Sequence, residues 1–458
     1  MTDQAISYCS ILKRAWPIML ANIALPLLGL IDTAIIGHLG GTQDLAALAI
    51  GAIVINFIFW NFGFLRMSTT ALSAQAWGQG KALSLLRIGL RALIIASALA
   101  LCILCLQKPL TLLAMTLLAP PLEALEGAST YLAIRLWGAP ITLINYVITG
   151  LLIGLSRSKS ILVLQITLNS LNAVFDLLLA GVLGLGITGI AYGTVIAEVI
   201  TVFIGFYILH LTWRQLVSDN PSLHSVSLLS TCWQQLRESQ FWVSVHFKKI
   251  LRSNRDIWIR TFCLLLSFMG FTHFSGQLGA NTLAANHLLL QIIAFSAFFL
   301  DSFAYVTEAD TGKAIGQRSR RLFIQATQKT SVLAAITAIA LAGIILVSGP
   351  WVINQLTVTS RINTLAIEHL YLCAIYIALS AGAFQLDGIF IGANYGKALR
   401  NASITSALLF FILWLSFLHI YGLIGLWVAF ISFIVLRALC LSAYWSSLMN
   451  THFSANTP

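Results

Sequence analysis

Hydrophobic residues fall in long runs along this chain, and polar residues gather in the gaps between them. Read that way, the sequence predicts twelve apolar helices, roughly over 15–38, 45–77, 84–106, 128–154, 161–183, 187–212, 256–277, 282–309, 323–348, 365–392, 401–420 and 423–446. Each is long enough to cross about 30 Å of hydrocarbon. A membrane β-barrel would show short alternating segments instead. The pattern predicts an all-α polytopic membrane protein. Its longest gap, 213–255, is polar and basic and splits the spans six and six. The expected organisation is an N-terminal lobe over 1–212, an inter-lobe loop over 213–255 and a C-terminal lobe over 256–458.

The two halves repeat. "WGQGK" at the end of the second span matches "IGQRS" at the end of the eighth, with Gly78 against Gly316. "GLLIG" matches "GIFIG", aligning Gly150 with Gly388 and Gly154 with Gly392, and "GITGI" matches "GLIGL". With Leu39 against Leu278, the offsets are 239, 238, 238, 238 and 236. An even number of spans per half makes these parallel repeats, two six-helix lobes related by a pseudo-two-fold axis along the membrane normal. Transporters built so alternate access by rocking one lobe against the other around a central cavity.

Composition sharpens this. Hydrophobic residues make up 59% and charged residues only 9%, against roughly a quarter charged in soluble domains. The net charge of +11 fits basic loops facing an anionic leaflet, not a nucleic-acid partner. Of 26 Lys and Arg, 22 fall on one side of the predicted topology. That bias puts both termini and the 213–255 loop in the cytoplasm. Cys102-x-x-Cys105 has no second pair, so no metal or redox site is expected. The His-Glu-x-x-His of zinc proteases is absent, and Gly184-Leu185-Gly186 is followed by Ile187 where an aspartyl intramembrane protease needs Asp. Enzyme chemistry is not expected.

Charges inside the spans then become the candidates for function. Asp32 lies six residues before His38, at the outer end of the first span, and Asp176 seven before Leu183, at the outer end of the fifth. At 1.5 Å per residue both sit roughly 10 Å below the outer rim. Asn172 is one turn below Asp176, and Thr194 enters the sixth span to a similar depth. A carboxylate stranded there holds a proton far more readily than one in water. Asp32, Asp176, Asn172 and Thr194 are therefore read as a proton or cation site, with Pro26 a helix-weakening lever less than two turns away. Repeat register places Asp32 against about Phe271 and Asp176 against Ile412 to Trp414, so the fold itself does not demand these acids. The C-terminal half has its own polar set, Asp301, Glu308, Arg255 and Arg260, read as an ion-pair cluster. Asp387 either binds cations or pairs with Arg66, and Glu198 is either a relay or a packing group. Tyr131, Arg66 and Asp387 are candidates for a substrate cavity.

Several stretches carry a family resemblance: "PLLGLIDTAIIGHLG" (26–40), "FLRMSTTALSAQAWGQG" (64–80), "RLWGAPITLINYVITGLLIG" (135–154), "LNAVFDLLL" (171–179), "NRDIWIRT" (254–261), "LDSFAYVTEADTGKAIG" (300–316) and "LDGIFIGA" (386–393). Together they resemble the multidrug and toxic compound extrusion (MATE) family, more closely its DinF-like branch. The resemblance implies two six-helix lobes around a V-shaped cavity and efflux of organic compounds in exchange for protons or sodium ions. It implies an N-lobe site on Asp32, Asp176 and Asn172, assisted by Tyr131 and Thr194. NorM-type relatives stress acids in the C-lobe, but the seventh span here has none beyond Asp256 at its inner end. The expected function is a proton-coupled antiporter exporting amphipathic, cationic or zwitterionic compounds across a bacterial cytoplasmic membrane, working as a monomer. It needs no cofactor beyond protons, or sodium ions, as coupling ions. The alternatives are a sodium-coupled exporter and, less favoured for want of buried cations, a lipid-linked precursor flippase.

Overall fold

A computed structural model describes residues 6–39, 41–118, 121–218, 228–356, 359–416 and 418–453. Among these, the regular elements are helical throughout. In chain order they are α1 (Tyr8–Leu39), α2 (Thr42–Trp60), α3 (Phe64–Gly78), α4 (Ala82–Cys105), α5 (Gln107–Leu118), α6 (Leu122–Trp137), α7 (Ala139–Gly154), α8 (Ser158–Asp176), α9 (Gly186–Ser218), α10 (Leu228–Arg237), α11 (Ser244–Gln277), α12 (Ala280–Gly316), α13 (Arg320–Leu356), α14 (Ser360–Glu368), α15 (Leu370–Gly392), α16 (Gly396–Ser416), α17 (Gly422–Ala443) and α18 (Trp445–Phe453). Helices satisfy every backbone group within one segment, which hydrocarbon demands.

Among the described residues, eleven helical segments are long and apolar enough to span a membrane, and the pair α6–α7, bent by 50° at Gly138, makes a twelfth. Pro140 in the first turn of α7 cannot donate a backbone bond across that break, which accounts for the bend. These twelve segments coincide in order with the twelve predicted from the apolar runs. Helix α1 runs without interruption through Pro26.

The chain divides into two compact units, Leu20–Leu251 and Met1–Met19 with Arg252–Pro458. The division falls inside α1: its first turns belong with the C-terminal half, whereas the sequence reading assigns all of 1–212 to one lobe. Residues 219–227 of the expected inter-lobe loop lie outside the described residues. Those that follow fold as α10 and a short 3-10 turn, Ser239–Trp242.

Each unit repeats the same construction. Left-handed backbone occurs at Gly80 and Arg318, at Ser156 and Asn394, and at Gly184 and Gly422, each pair 238 residues apart. A Cβ built on Gly150 would lie 2.6 Å from the Arg66 carbonyl, and one on Gly388 would lie 2.7 Å from the Ala304 carbonyl. The glycine repeat thus marks one crossing, α3 against α7 and α12 against α15, where backbones touch.

Candidate functional site

In the Leu20–Leu251 unit, five helices bring polar groups to one buried level. Helix α8 ends with Asn172 and Asp176 one turn apart on its inward face, and neither is accessible to solvent (0% for both). Directly after Asp176 the helix widens into a π turn, Leu177–Val182. Such turns insert one extra residue and recur at functional sites. Against this turn lies α9, whose Gly189 and Gly193 form a small-residue stripe that permits backbone contact. A Cβ on Gly193 would sit 2.2 Å from Asp176 Oδ1, so the missing side chain makes the space the carboxyl occupies.

Helix α1 supplies Asp32, 5% exposed, whose carboxyl lies within hydrogen-bonding range of the Asp176 carboxyl. Asp32 Oδ1, both Asp176 oxygens and Asn172 Oδ1 find no donor among the described residues. Asn172 Nδ2 donates to Thr194 Oγ1 at 3.0 Å, and that hydroxyl donates to the Ile190 carbonyl at 2.9 Å. The result is a nest of oxygen acceptors in a medium that cannot hydrate them. Two carboxylates meeting in low dielectric cannot both stay ionised without a bound cation, and a shared proton is the simplest one.

A second buried group borders the acids. Arg135 of α6 donates to Glu198 Oε1 at 3.1 Å, and Thr142 Oγ1 donates to Glu198 Oε2 at 2.7 Å. Arg135 Nε and Nη1 have no acceptor among the described residues, and the guanidinium acts electrostatically on both Asp32 and Asp176. Tyr131, one turn before Arg135, is buried with its ring against Gly51, where a Cβ would meet it at 2.4 Å.

The structure therefore brings Asp32, Asp176, Asn172 and Thr194 together, as their depth along the spans suggests, with Tyr131 packed nearby. Sequence reasoning missed the Arg135–Glu198 pair, although an unmatched cation and an unmatched acid in neighbouring spans of one lobe were the available signal. It also missed Gly193 and the π turn.

The equivalent positions in the other half are filled differently. Register carries Asp32, Asn172, Asp176 and Thr194 onto about Phe271, Phe410, Trp414 and Phe430. All four are buried in a continuous aromatic core, with Phe271 and Phe430 4.5 Å apart and Trp414 5.4 Å from Phe274. One half packs rings where the other leaves oxygens without partners.

In the C-terminal half, polar groups pair through Asp387 and Asp256. The sequence offers Asp387 as a cation site or a partner of Arg66. Its Oδ2 instead accepts from Arg260, very closely, and from Arg437 at 2.9 Å, and Asp301 acts electrostatically on Arg437. Arg255 closes on Asp256, which also accepts from Arg400 at 3.0 Å. Glu308 is buried, and its carbonyl lies 2.5 Å from where a Gly392 Cβ would be. Arg66 is buried in α3. Helix rotation, which sequence spacing alone does not fix, decides these pairings. Arg14, one of the Lys and Arg residues on the predicted cytoplasmic side, forms a two-pronged pair with Asp310 at 2.5 and 2.7 Å.

The MatE family model matches residues 17–178 and 257–415, one segment in each half. The chain belongs to the MatE family. As a MatE protein it is a multi-pass membrane transporter and not an enzyme. It is 34% identical to the DNA damage-inducible protein F of Escherichia coli K12 over 433 residues, covering 94% of this chain and 90% of that one. It is 25% identical to the probable multidrug resistance protein NorM of Agrobacterium fabrum, covering 84% and 79%. Among solved structures it resembles a MOP-superfamily transporter from Pyrococcus furiosus (TM-score 0.84, 21% identity, 96% and 95% covered). It also resembles an outward-facing multidrug resistance MATE transporter (TM-score 0.81, 20% identity, 96% of each). At those identities the structural likeness establishes the MatE fold.

One consequence of the MatE site is directly testable. Gly193→Ala puts a methyl group into the space of Asp176 Oδ1, with the Asp176 amide 3.2 Å away on the other side. The carboxyl must swing aside. The expected outcome is a folded protein whose ion-driven transport falls at least tenfold. Transport in reconstituted vesicles alongside thermal stability checks it.

Proposed function

We propose that this chain is a proton-driven antiporter of a bacterial cytoplasmic membrane. In this reading it exports amphipathic cationic or zwitterionic compounds by alternating access, with both termini in the cytoplasm, and acts as a monomer. The observation that carries the reading is the Asp32–Asp176 pair: two membrane-buried carboxyls within reach of each other, three of whose oxygens have no hydrogen-bond donor in place among the described residues. A pair so placed takes up one proton where water reaches it and releases it when the surroundings change. Export coupled to inward proton flow needs a group whose charge differs between two conformations, because a ligand shifts an equilibrium only by its differential affinity. Arg135 favours the proton over sodium as the coupling ion. A fixed guanidinium beside the acids repels a second cation, whereas a proton disappears into a covalent O–H bond.

The test is transport of a fluorescent amphipathic cation in sealed vesicles with proton and sodium gradients imposed separately. Export driven by the proton gradient in sodium-free buffer is expected. Export that follows only the sodium gradient would replace the proton with sodium, and transport that follows neither gradient would end the antiporter reading.

A further inference from the structure

The segment after the undescribed part of the inter-lobe loop buries two polar residues and exposes two large apolar ones. In α10 the buried side is polar: Thr231 and Gln235 face the protein. Gln235 accepts closely from Arg87 Nε of α4, and Arg87 Nη2 donates to Glu238 at 2.6 Å. The outward side mixes two large apolar residues, Leu229 79% and Trp233 59% exposed, with the exposed polar residues Ser230, Gln234 and Arg237. A leucine and a tryptophan exposed among serine, glutamine and arginine suit a membrane–water interface, where apolar and polar groups are both satisfied.

The depth of the next turn says the same. Arg91 of α4 donates through Nε and Nη2 to the Phe241 carbonyl at 3.1 and 2.9 Å, with its guanidinium 5.0 Å from the Phe241 ring. Arg91 is fourteen residues before Cys105, the end of α4. That is about 21 Å along a span that crosses about 30 Å of hydrocarbon. The Phe241 corner is thus tethered at membrane level. Beside it Trp242 and Val245 are exposed. The Trp242 indole N–H already donates to the Leu236 carbonyl at 2.8 Å, so the ring face it offers is purely apolar.

Basic groups rim this surface. Arg237 lies 4.8 Å from the Trp233 ring centroid, and Lys248 and Lys249 follow one turn into α11, exposed. None of the three pairs with a carboxylate among the described residues. Tryptophan and leucine flanked by unpaired Arg and Lys match the interface of an anionic leaflet, rings at the headgroup level and cations on the phosphates.

We propose that 228–249 is a lipid-docking surface for anionic phospholipid headgroups, anchored to the protein by Arg87 and Arg91. The inter-lobe connection is then fastened to the membrane at this end. The surface rests on the orientation proposed above only in the name of the leaflet, the cytoplasmic one; its lipid preference is measurable whichever way the protein faces.

Hydrogen–deuterium exchange of the 228–243 backbone tests it, with the full chain in nanodiscs of phosphatidylcholine or of an equal mixture with phosphatidylglycerol. Each basic residue at an anionic surface strengthens binding about fivefold, so exchange slows by at least that factor in the anionic discs. Lys248→Gln/Lys249→Gln removes most of the difference while leaving thermal stability unchanged, since both side chains are exposed. Equal exchange in the two lipids overturns the proposal, as does slowing that survives the double substitution. Equal slowing by inorganic phosphate in detergent micelles would make this a generic anion site. Slowing that tracks protein concentration would make it a contact between copies. Either result also overturns the proposal.

Discussion

Asp32→Asn is expected to abolish proton-driven export while leaving the protein folded at least as firmly as the parent. Asparagine has the shape of a protonated aspartate and cannot release a proton. In the native site the Asp32 carboxyl meets that of Asp176 while Asp32 Oδ1 has no donor. A carboxamide there brings its own N–H groups to the unpartnered oxygens of Asp176, and it removes a buried charge that costs free energy whenever it forms. Stability therefore holds or rises. Coupling does not survive, because a residue with one protonation state binds the driving ion equally in every conformation and shifts nothing. Asp176→Asn gives the same loss. The double variant is no worse than either single one, since the two groups act as a unit and their effects do not add. Paired measurements check this: substrate accumulation in inside-out vesicles with an imposed proton gradient, and the melting midpoint of the purified protein. Normal export by the Asp32→Asn protein would remove the carboxyl pair from the mechanism.

The site was legible to the degree that depth along a helix is legible. A rise of 1.5 Å per residue fixes how far Asp32, Asp176, Asn172 and Thr194 stand from the membrane rim, and four polar groups at one level in one lobe have few places to go except together. The twelve spans were legible because hydrocarbon leaves the backbone no alternative to long helices. The internal repeat was legible because backbone contact at Gly150 and Gly388 excludes any side chain. The rotation of each helix about its axis was not written in the spacing, so the partners of Arg135, Asp387 and Arg14 could not be assigned. Nor was it apparent that α10 would turn a polar face inward, since periodicity reports that two faces differ and not which one meets protein. The first turns of α1 group with the C-terminal half through contacts such as Arg14–Asp310. From sequence that arginine is one of 22 basic residues assigned to one side, with nothing to single out its partner.

Removal of the Asp387 charge should have the opposite profile and the largest effect on stability. One carboxylate on α15 accepts from Arg260 on α11 and Arg437 on α17, joining three helices in the interior of the C-terminal half. Asp387→Asn leaves two guanidinium groups facing each other without the carboxylate that both hold. Breaking a buried pair by removing one partner costs roughly 3–5 kcal/mol, most of it the penalty of the charge left behind. The variant is expected to melt well below the parent and to express poorly. The triple change Arg260→Met/Asp387→Leu/Arg437→Met, which removes all three charges and keeps the volume, should recover most of that loss, as apolar replacement of buried ion clusters does elsewhere. Melting curves of the single and triple variants in one detergent decide it: if the triple variant is no more stable than Asp387→Asn, stranded charge is not the cause. The two aspartates then separate cleanly. Neutralising Asp32 spares the fold and stops coupling, because no cation is held in place by its Oδ1; neutralising Asp387 loosens the fold, because its oxygen already holds two cations in place.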